Sequence, residues 1–270
     1  MCRVLVVSRS GYYRWAGRSP SRQTQENQRL LERINEIFEK SHKTYGSPRV
    51  TEALRAEGTK CGRHRVARIM RSAGIQAKVK KRFRAKGHTG QRYVGVTDLV
   101  NRAFVAKSPN RLWVADMTYI WTREGWAYLA VILDVYSRRI VGWALSHRPT
   151  TDLTRRAFER ALGQRRIEPG LIHHSDQGAQ YANHEYQTML KQHGVQPSMG
   201  CQGDCYDNAM AESFFHTLKT EHTYWKSYQT RQEAEQSLFG YIELFYNARR
   251  LHSGVGYKSP LTFEKQNSSA

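Results

Sequence analysis

The sequence predicts an α/β protein in which a mixed β-sheet with flanking helices follows a small helical region. Apolar residues recur every three or four positions before residue 75, as they do in amphipathic helices. Three consecutive runs between residues 112 and 146 are rich in β-branched and aromatic residues, which favour strands. After residue 150 helical and extended patterns alternate, so later strands are expected to join the sheet through helical crossovers.

The helical region is predicted to contain three helices. The first spans residues 24–40, and a second begins near Pro48, a residue that a first helical turn tolerates, and ends near Gly58. The third spans residues 62–73. The apolar residues on the inner face of the first helix are Leu30, Leu31, Ile34, Ile37 and Phe38.

The second and third helices, joined by a turn that contains glycine, resemble a helix-turn-helix with a basic second helix. Arg63, Arg65 and Arg68 lie off the apolar side of the third helix and are expected to contact DNA. A small helical bundle with a solvated basic face is the alternative interpretation. Six of the nine residues in the run 78–86 are basic, and this run is expected to lie along phosphates as a linker. Its candidate DNA contacts are Lys80, Lys81 and Arg82.

The second half of the chain predicts a sheet that begins as an antiparallel meander. Residues 112–122 and 126–135 are extended runs separated by Arg-Glu-Gly, which is typical of a hairpin. Residues 139–146 add a third strand after a polar turn. Three strands in succession favour antiparallel pairing between neighbours.

Helical patterns follow the meander. Residues 151–166 and 183–193 are predicted helices, and residues 171–174 form a short strand between them. A last helix, residues 230–250, carries more apolar surface than a solvated helix should, so it packs on the core or on a partner. Core packing is the expected outcome.

The charge of the chain is unevenly distributed. Its 270 residues include 43 Lys and Arg against 23 Asp and Glu, a formal net charge of +20. Residues 1–107 hold 25 basic and 7 acidic residues, whereas residues 108–270 hold 18 and 16. This asymmetry indicates two modules with different functions. We expect a helix-turn-helix-like DNA-binding region at residues 1–74, a basic linker at 75–107 and a second domain, including the last helix, at 108–270.

Composition excludes several classes of protein. With 39% hydrophobic and 11% aromatic residues, the chain is too rich in core formers for a disordered polybasic tail. The longest apolar run, residues 126–133, is far shorter than the roughly 18 residues that span a bilayer. We therefore expect a soluble, unexported protein with no membrane partner, and nucleic acid is the first partner to consider. Cys201 and Cys205 have a spacing that could hold half a zinc site, but two ordinary loop cysteines are the preferred interpretation.

Three acidic residues of the second half occupy positions at which a carboxylate suggests a specific role. Asp116 interrupts a predicted buried strand, where a lone carboxylate is costly to desolvate unless a cation meets it. Asp176 directly follows the short strand, at the edge of the sheet where ligands gather in α/β proteins. Glu212 falls in the segment Asp-Asn-Ala-Met-Ala-Glu-Ser-Phe-Phe-His, which reads as the start of a helix.

The helix around Glu212 is predicted to have two different faces. Asp207 or Asn208 is expected to cap it. Its apolar residues share one side, while Glu212, His216 and Lys219 share another at spacings of four and three. One face can therefore pack while the other carries an acid and bases.

Each carboxylate has an ordinary alternative: Asp116 can pair with a core Arg, Asp176 can cap a helix, and Glu212 can be a surface residue. Together they match the oxygen ligands of Mg²⁺, which is commonly held by a few carboxylates and substrate phosphate. Two such ions about 3.5–4 Å apart can assist both the attacking and the leaving oxygen in a phosphoryl transfer. Neighbouring His173 and His174 should point to opposite faces of their strand and suit zinc better, so neither joins the metal set.

These segments resemble the catalytic core of the DDE transposases and retroviral integrases, which have an RNase H-like fold. The closer resemblance is to the OrfB-type transposases of bacterial insertion sequences. Thirty-five residues separate Asp176 from Glu212, the hallmark spacing of that family, and Lys219 matches its basic residue two helical turns on. Residues 246–260 match the family signature Tyr-Asn-x-x-Arg-x-His at Tyr246, Asn247, Arg250 and His252.

Other segments extend the resemblance to nearly the whole chain. Residues 12–15 resemble the family's opening, residues 45–50 resemble the start of its helix-turn-helix, and residues 125–143 resemble its second and third strands. The second domain, residues 108–270, is accordingly expected to be an RNase H-like integrase catalytic domain.

The resemblance implies that Asp116, Asp176 and Glu212 are the catalytic residues and that together they bind two Mg²⁺ or Mn²⁺ ions. Water would first cut a phosphodiester at the end of the element and expose a 3′-OH. That hydroxyl would then attack a phosphodiester of the target DNA, so no covalent enzyme intermediate is needed. The candidate DNA contacts of this domain are Lys219, His216 and Arg250.

The resemblance also implies partners. Such transposases are expected to act as homo-oligomers on paired DNA ends in the bacterial cytoplasm, at the nucleoid. An upstream reading frame usually supplies the domain that recognises the terminal repeats. The sequence leaves no room for that domain before Tyr12, so the chain is expected to be the downstream product, which needs a fused or separate upstream partner. Two other functions stay open: a metal-dependent nuclease that cuts without joining, and a non-enzymatic DNA-binding regulator.

Overall fold

A computed structural model describes residues 6–78, 96–200 and 208–267 of the chain. The chain divides into two compact units, Met1–Lys78 and Val79–Ala270. The predicted domain boundaries after residues 74 and 107 stay predictions. Lys80, Lys81, Arg82, Cys201 and Cys205 lie outside the described residues. In the part of the chain that is described, no helix is both long enough and apolar enough to cross a membrane.

The first unit is helical. Its helices are α1 (Arg9–Ala16), α2 (Arg22–Lys40), α3 (Ser47–Ala56) and α4 (Arg63–Ser72). The three predicted helices are confirmed as α2, α3 and α4. Helix α2 begins two residues before its predicted start because the Ser21 hydroxyl accepts a hydrogen bond from the Thr24 amide and caps the helix. Helix α1, which was not predicted, buries no side chain.

A small core joins α2, α3 and α4. The residues that α2 contributes to it are the predicted apolar ones, except that Leu31 is only half-buried. Between α3 and α4 the chain turns at Gly58, whose φ of 83° lies in the left-handed region that glycine adopts without strain. The buried core residues are Leu30, Ile34, Ile37, Phe38, Val50, Leu54, Val66, Ile69 and Met70.

The described part of the second unit contains a five-stranded mixed sheet. Its strands are β1 (Leu112–Thr122), β2 (Gly125–Asp134), β3 (Ile140–Ser146), β4 (Ile172–Ser175) and β5 (Gln196–Met199), in the order β3-β2-β1-β4-β5. β1, β2 and β3 form the predicted antiparallel meander, while β4 lies parallel to β1 and β5 lies parallel to β4. Strand β5 was not predicted, because Gln-Pro-Ser-Met lacks apolar alternation.

Helices cover the sheet. They are α5 (Thr151–Gln164), α6 (Ala179–Ala182), α7 (His184–Gln192) and α8 (Ala209–Glu221). α5 connects β3 to β4 and packs closely on β3 at Gly142, where any Cβ would overlap the carbonyl oxygen of Ala157. Trp113, Ile132, Leu153 and Phe158 belong to the core between sheet and helices. The predicted crossovers between meander and parallel strands are therefore present.

The C-terminal segment packs on the sheet in three pieces. Helix α9 (Arg231–Phe239) continues as a π-helical segment, Gly240–Asn247, and α10 (Pro260–Asn267) follows. One helix over residues 230–250 was predicted, but the π-helical segment ends at Asn247. The Asn247 side chain hydrogen-bonds both the amide and the carbonyl of Ile140 at 2.9 Å, which holds this segment against β3. Ile242, Phe245 and Tyr246 are buried, as the expected core packing predicts, whereas Phe239 and Leu244 remain exposed.

Candidate active site

Asp116 lies in the middle of β1, opposite Val131 of β2, and is half-buried. The Met117 amide donates a hydrogen bond to Asp116 Oδ1 at 2.6 Å. Burial raises the pKa of Asp116 well above its ordinary value, and the carboxylate of Asp176 raises it further. Glu212 also raises this pKa, while the Met117 amide and Lys219 lower it. The strand thus holds a carboxylate whose charge the protein itself leaves poorly balanced.

Asp176 directly follows β4, as predicted. Parallel pairing aligns Ser175 with Ala115, so the residues that follow them, Asp176 and Asp116, come side by side. The Gly178 amide donates a hydrogen bond to Asp176 Oδ1 at 3.1 Å. The Asp176 side chain is exposed at this edge of the sheet, yet its carboxyl lies against enough protein that burial raises its pKa.

Glu212 lies in the first turn of α8 and is exposed. Asn208 occupies the position just before this helix, and its side chain makes no capping hydrogen bond. The other predicted cap, Asp207, lies outside the described residues. Asn208 Nδ2 instead donates to the carbonyl oxygen of Ala115 at 3.0 Å. The start of α8 is thereby fixed to β1 one residue before Asp116, and this contact brings Glu212 towards the two aspartates.

The donor set fits a hard divalent cation, because all three charged groups present oxygen atoms. Asp116 feels the negative charges of both Asp176 and Glu212, and a cation would offset their mutual repulsion. Among the described residues, no three or more His, Cys, Asp and Glu side chains are already arranged as a metal-binding group. The carboxylates are thus electrostatic neighbours that would have to draw closer around an ion.

Two predicted bases of α8 differ in their surroundings. Lys219 is half-buried, and its Nζ lies 4.8 Å from the ring centroid of Tyr119. Burial lowers the pKa of Lys219, whereas the nearby Asp116 carboxylate raises it. His216 is exposed on the same helix. Lys219 is therefore the cation of α8 that faces the carboxylates.

Arg250, a predicted DNA contact, has a different environment from the expected one. It is 3% exposed, and its Nε and Nη2 atoms donate to the Glu221 carboxylate at 2.7 and 2.6 Å. The Tyr241 hydroxyl donates to the same carboxylate at 2.9 Å. Burial acts to lower the pKa of Arg250, but the hydrogen bonds and charge of Glu221 raise it overall. A guanidinium that is buried and already paired cannot reach a phosphate, so the prediction of DNA contact does not hold for Arg250.

The predicted basic residues of α4 fall into two groups. Arg63 and Arg68 are exposed, in agreement with a surface that faces DNA. Arg65 is half-buried and donates to Asn27 at 2.9 Å and to Glu26 at 3.2 Å. Arg65 thus ties α4 to α2, so less of its charge is available to a phosphate.

His173 and His174 point to opposite faces of β4, as predicted, and both are buried. His173 Nε2 lies 3.0 Å from the Tyr186 hydroxyl on the face covered by helices. His174 Nδ1 lies 2.9 Å from the Ser198 hydroxyl of β5. Their ring contacts are therefore with the protein core.

Sequence reasoning missed a set of polar residues around the carboxylates. Gln177 Oε1, Asn208 Oδ1 and the Tyr181 hydroxyl are buried and have no hydrogen-bond partner among the described residues. Burial raises the pKa of Tyr181 well above its ordinary value, and the Asp116 carboxylate raises it further. Gln177 and Tyr181 follow Asp176 by one and five positions in the sequence. Their closeness in sequence to a proposed metal ligand is the signal that could have identified them.

Comparison with known proteins gives a consistent picture. Residues 106–205 and 212–267 match families described as integrase core domain, and residues 25–83 match an HTH-like domain. The chain is 41% identical over 266 residues to the insertion element IS600 uncharacterized 31 kDa protein of Shigella sonnei, covering 98% of each chain. It is 45% identical over 255 residues to the transposase for insertion sequence element IS904 of Lactococcus lactis subsp. lactis (strain IL1403), covering 93% of this chain and 99% of that one.

One solved structure supports the fold. It is the cryo-EM structure of the simian T-cell lymphotropic virus intasome in complex with PP2A regulatory subunit B56 gamma. The match has 14% identity and a TM-score of 0.50, and it covers 86% of this chain and 74% of that chain. The predicted fold class, an RNase H-like mixed sheet preceded by a helix-turn-helix-like region, is thus confirmed.

Proposed function

Because the chain belongs to the insertion-sequence transposases that carry an integrase core domain, we propose that it catalyses DNA strand cleavage followed by strand transfer. One arrangement supports this chemistry: parallel pairing of β4 with β1 brings Asp176 next to Asp116, and Asn208 holds the start of α8, which carries Glu212, at Ala115. Gathering three acids at one sheet edge costs stability, since each disfavours the charge of the others. Perturbed carboxylates of this kind are typical of functional sites.

Asp116, Asp176 and Glu212 are the proposed ligands of two Mg²⁺ or Mn²⁺ ions. Bound there, such ions supply Lewis-acid activation of the attacking oxygen and stabilisation of the leaving oxygen. The chain contributes the arrangement: β1 and β4 hold the two aspartates side by side, and Asn208 holds the start of α8 against β1. The attacking oxygen is that of water in cleavage and that of a DNA 3′-OH in strand transfer.

Lys219 is the proposed contact to the phosphates next to the reacting bond. Its half-buried ammonium lies near Asp116, so it can neutralise a phosphate oxygen beside the carboxylates. His216, which is exposed on α8, is a second proposed contact. Arg63 and Arg68 of α4 are proposed to bind DNA phosphates. The same role is proposed for Arg65, whose charge is partly offset by its pair with Glu26.

The proposal includes partners. We expect a homo-oligomer on the two ends of the element and on target DNA, together with the upstream-frame protein, fused or separate, for recognition of the terminal repeats. The DNA substrate puts this activity at the bacterial nucleoid. The high positive charge of the first unit supports a polyanionic partner.

The deciding experiment measures strand joining on labelled duplexes that carry the element's ends, with Mg²⁺ or Mn²⁺ and with the upstream-frame protein present, fused or separate. We compare the wild-type protein with Glu212→Gln, which keeps the size of the side chain and removes its charge. Glu185→Gln is the matched control, because Glu185 is also an exposed glutamate in the first turn of a helix. We expect joined product with wild type and Glu185→Gln and none with Glu212→Gln.

Other outcomes are equally informative. Metal-dependent cleavage without any joining would replace the transposase by a nuclease. Equal joining by Glu212→Gln and wild type would remove Glu212 from the site and overturn the proposed role of the three carboxylates.

A further inference from the structure

The hairpin of β1 and β2 presents three large aromatic side chains to solvent. Tyr119, Trp121 and Trp126 are 55%, 58% and 44% exposed, respectively. We call these three residues the aromatic platform. Side chains of this size normally contribute to a core, and a contiguous exposed group of them marks an interaction surface.

The three rings support one another. The ring centroids of Tyr119 and Trp126 lie 5.0 Å apart with an interplanar angle of 83°, and those of Trp121 and Trp126 lie 4.9 Å apart at 74°. Trp121 and Trp126 are directly opposite each other in the antiparallel pair. Edge-to-face packing of this kind holds aromatic rings in place, so the platform is a preformed surface.

A cavity of about 370 Å³ adjoins the platform. Besides the three aromatic residues, Lys219 and Lys226 line it. Its further lining residues are Ile120, Thr223, Tyr224, Ser227 and Tyr228. Aromatic faces beside ammonium groups are the combination that binds a nucleobase together with its phosphate.

The same lysine connects the platform to the candidate active site. Lys219 Nζ lies 4.8 Å from the ring centroid of Tyr119, and its charge acts on Asp116. A strand whose reacting phosphodiester lies at Asp116 would therefore pass Lys219 and bring its next nucleotides onto the platform. Lys219 is thus the residue that the cavity and the candidate active site share.

We propose that the aromatic platform stacks an unpaired base of the DNA strand that reacts at the carboxylates. This inference rests on the proposed function, since it takes that strand to be the substrate. The bound group is a nucleobase that has left its pair, with its phosphate at Lys219 or Lys226. A base paired inside the duplex cannot stack there, because both of its faces are covered by its neighbours.

The charges favour this occupant over an apolar protein segment. Two ammonium groups border the cavity, and none of the described residues that line it is acidic. An apolar protein segment would desolvate both lysines without offering them a counter-charge, whereas a DNA strand offers a phosphate for each base. Stacking is also tolerant of sequence, because every base presents an aromatic face.

The test uses a DNA duplex that ends in a short single-stranded tail containing 5-iodouracil. Ultraviolet irradiation crosslinks this base to an aromatic side chain on which it stacks, and mass spectrometry of the peptides locates the crosslink. We expect crosslinks at Trp121 or Trp126, and none at the platform when the iodouracil lies in a fully paired duplex. Crosslinks confined to other parts of the chain would overturn the proposal.

Affinity measurements on the same two DNA molecules provide a second readout. Trp126→Ala and Trp121→Ala should each weaken binding of the tailed duplex by about 5- to 100-fold, the effect of losing one stacked base, with little change for the paired duplex. Trp126→Phe should recover part of the loss. Phe239→Ala is the matched control, because Phe239 is an exposed aromatic residue that lines a separate cavity with Trp143.

The outcomes separate this inference from the proposed function. Crosslinking and binding need no turnover, so Asp116→Asn should crosslink as the wild type does. Platform crosslinks in a protein that never joins strands would preserve the inference and count against the transposase. A different result would overturn the inference alone: the wild-type protein joins strands, but the platform variants bind the tailed duplex as tightly as it does. The platform would then be available to bind a protein.

Discussion

The Arg250 guanidinium and the Glu221 carboxylate form an ion pair that is almost fully removed from solvent. Such a pair offers little net stability over apolar residues, but each partner becomes costly once the other is lost. The family signature that contains Arg250 therefore joins α8 to the segment after the π-helical turns. This pair fixes the end of α8, the helix that carries Glu212 in its first turn.

Replacement of Glu221 tests this role. Glu221→Gln leaves the Arg250 guanidinium buried without its counter-charge, and we expect the free energy of unfolding to fall by about 3–5 kcal/mol in urea titrations. Glu159→Gln, in which an exposed pair with Arg155 is lost, should cost less than about 1 kcal/mol. A Glu221 variant that keeps its stability but loses DNA affinity would assign Arg250 to the phosphates after all.

His173 should make stability depend on pH in the acid range. Burial lowers the pKa of His173 from 6.5 to about 3, so the folded protein holds this ring neutral. In the unfolded chain the ring binds a proton below about pH 6.5, which stabilises the unfolded state. The contribution of neutral His173 is thus complete above pH 6.5 and falls by about 1.4 kcal/mol per pH unit between pH 6.5 and 3.

The measurement is the free energy of unfolding of wild type and His173→Gln at several pH values. The variant cannot titrate, so its stability should fall less steeply below pH 6.5, whatever its stability at neutral pH. His216→Gln removes an exposed histidine and should leave the slope unchanged. Identical slopes for all three proteins would show that His173 is not buried as a neutral ring.

At the scale of elements, two contacts decide where the candidate ligands lie. β4 pairs in parallel with β1, and the Asn208 side chain fastens the start of α8 to the Ala115 carbonyl. The first contact uses backbone hydrogen bonds that any sequence can make. The second depends on one amide, which makes it the element contact most open to a mutational test.

Asn208→Ala should loosen α8 from β1 without removing a ligand. We expect the Mg²⁺ concentration for half-maximal cleavage to rise about 10-fold or more, as is typical when a residue that supports a ligand is lost. Asn183→Ala is the control: Asn183 also precedes a helix, but its side chain caps α7 through the amides of Glu185 and Tyr186. That variant should lose about 1 kcal/mol of stability with unchanged metal dependence. The same metal dependence in both variants would contradict the positioning role of Asn208.

At the scale of the whole molecule, the excess positive charge lies in the first 107 residues, away in sequence from the carboxylates. Non-specific DNA affinity then comes chiefly from phosphate contacts and varies steeply with salt. The exposed Arg63 and Arg68 of α4 are the described residues that best fit this contribution. Carboxylate chemistry in the second unit can thus coexist with a strongly basic protein.

The double variant Arg63→Ala/Arg68→Ala measures that contribution. We expect the slope of log affinity against log salt concentration to become less steep by about 2, since each lost phosphate contact removes about one unit. Arg55→Ala, which removes a cation of the same unit that already pairs with Glu52, should leave the slope nearly unchanged. An unaltered slope in the double variant would make α4 a solvated face, the alternative that the sequence left open.

The sequence by itself determined the elements whose patterns are local. Helices α2, α3 and α4, the three strands of the meander and the first turn of α8 follow from periodicity and turn residues, which act within a few residues. It also determined the family, because the spacing of Asp176 and Glu212 and the C-terminal signature are written along the chain. The short β5 and the π-helical end of α9 escaped prediction, since pairing with β4 and the Asn247 contact to Ile140 create them.

Tertiary structure decided which residues are available to a partner. Arg250 and Arg65 have the same charge as Arg63 in the sequence, but Glu221 and Glu26 occupy them in the fold. Conversely, Tyr119, Trp121 and Trp126 read as ordinary strand residues, yet they remain exposed beside Lys219. Whether a side chain is buried or paired depends on elements that are far apart in the chain. The free energy of removing that side chain from water, which decides whether it is available to a partner, is therefore set only when those elements pack together.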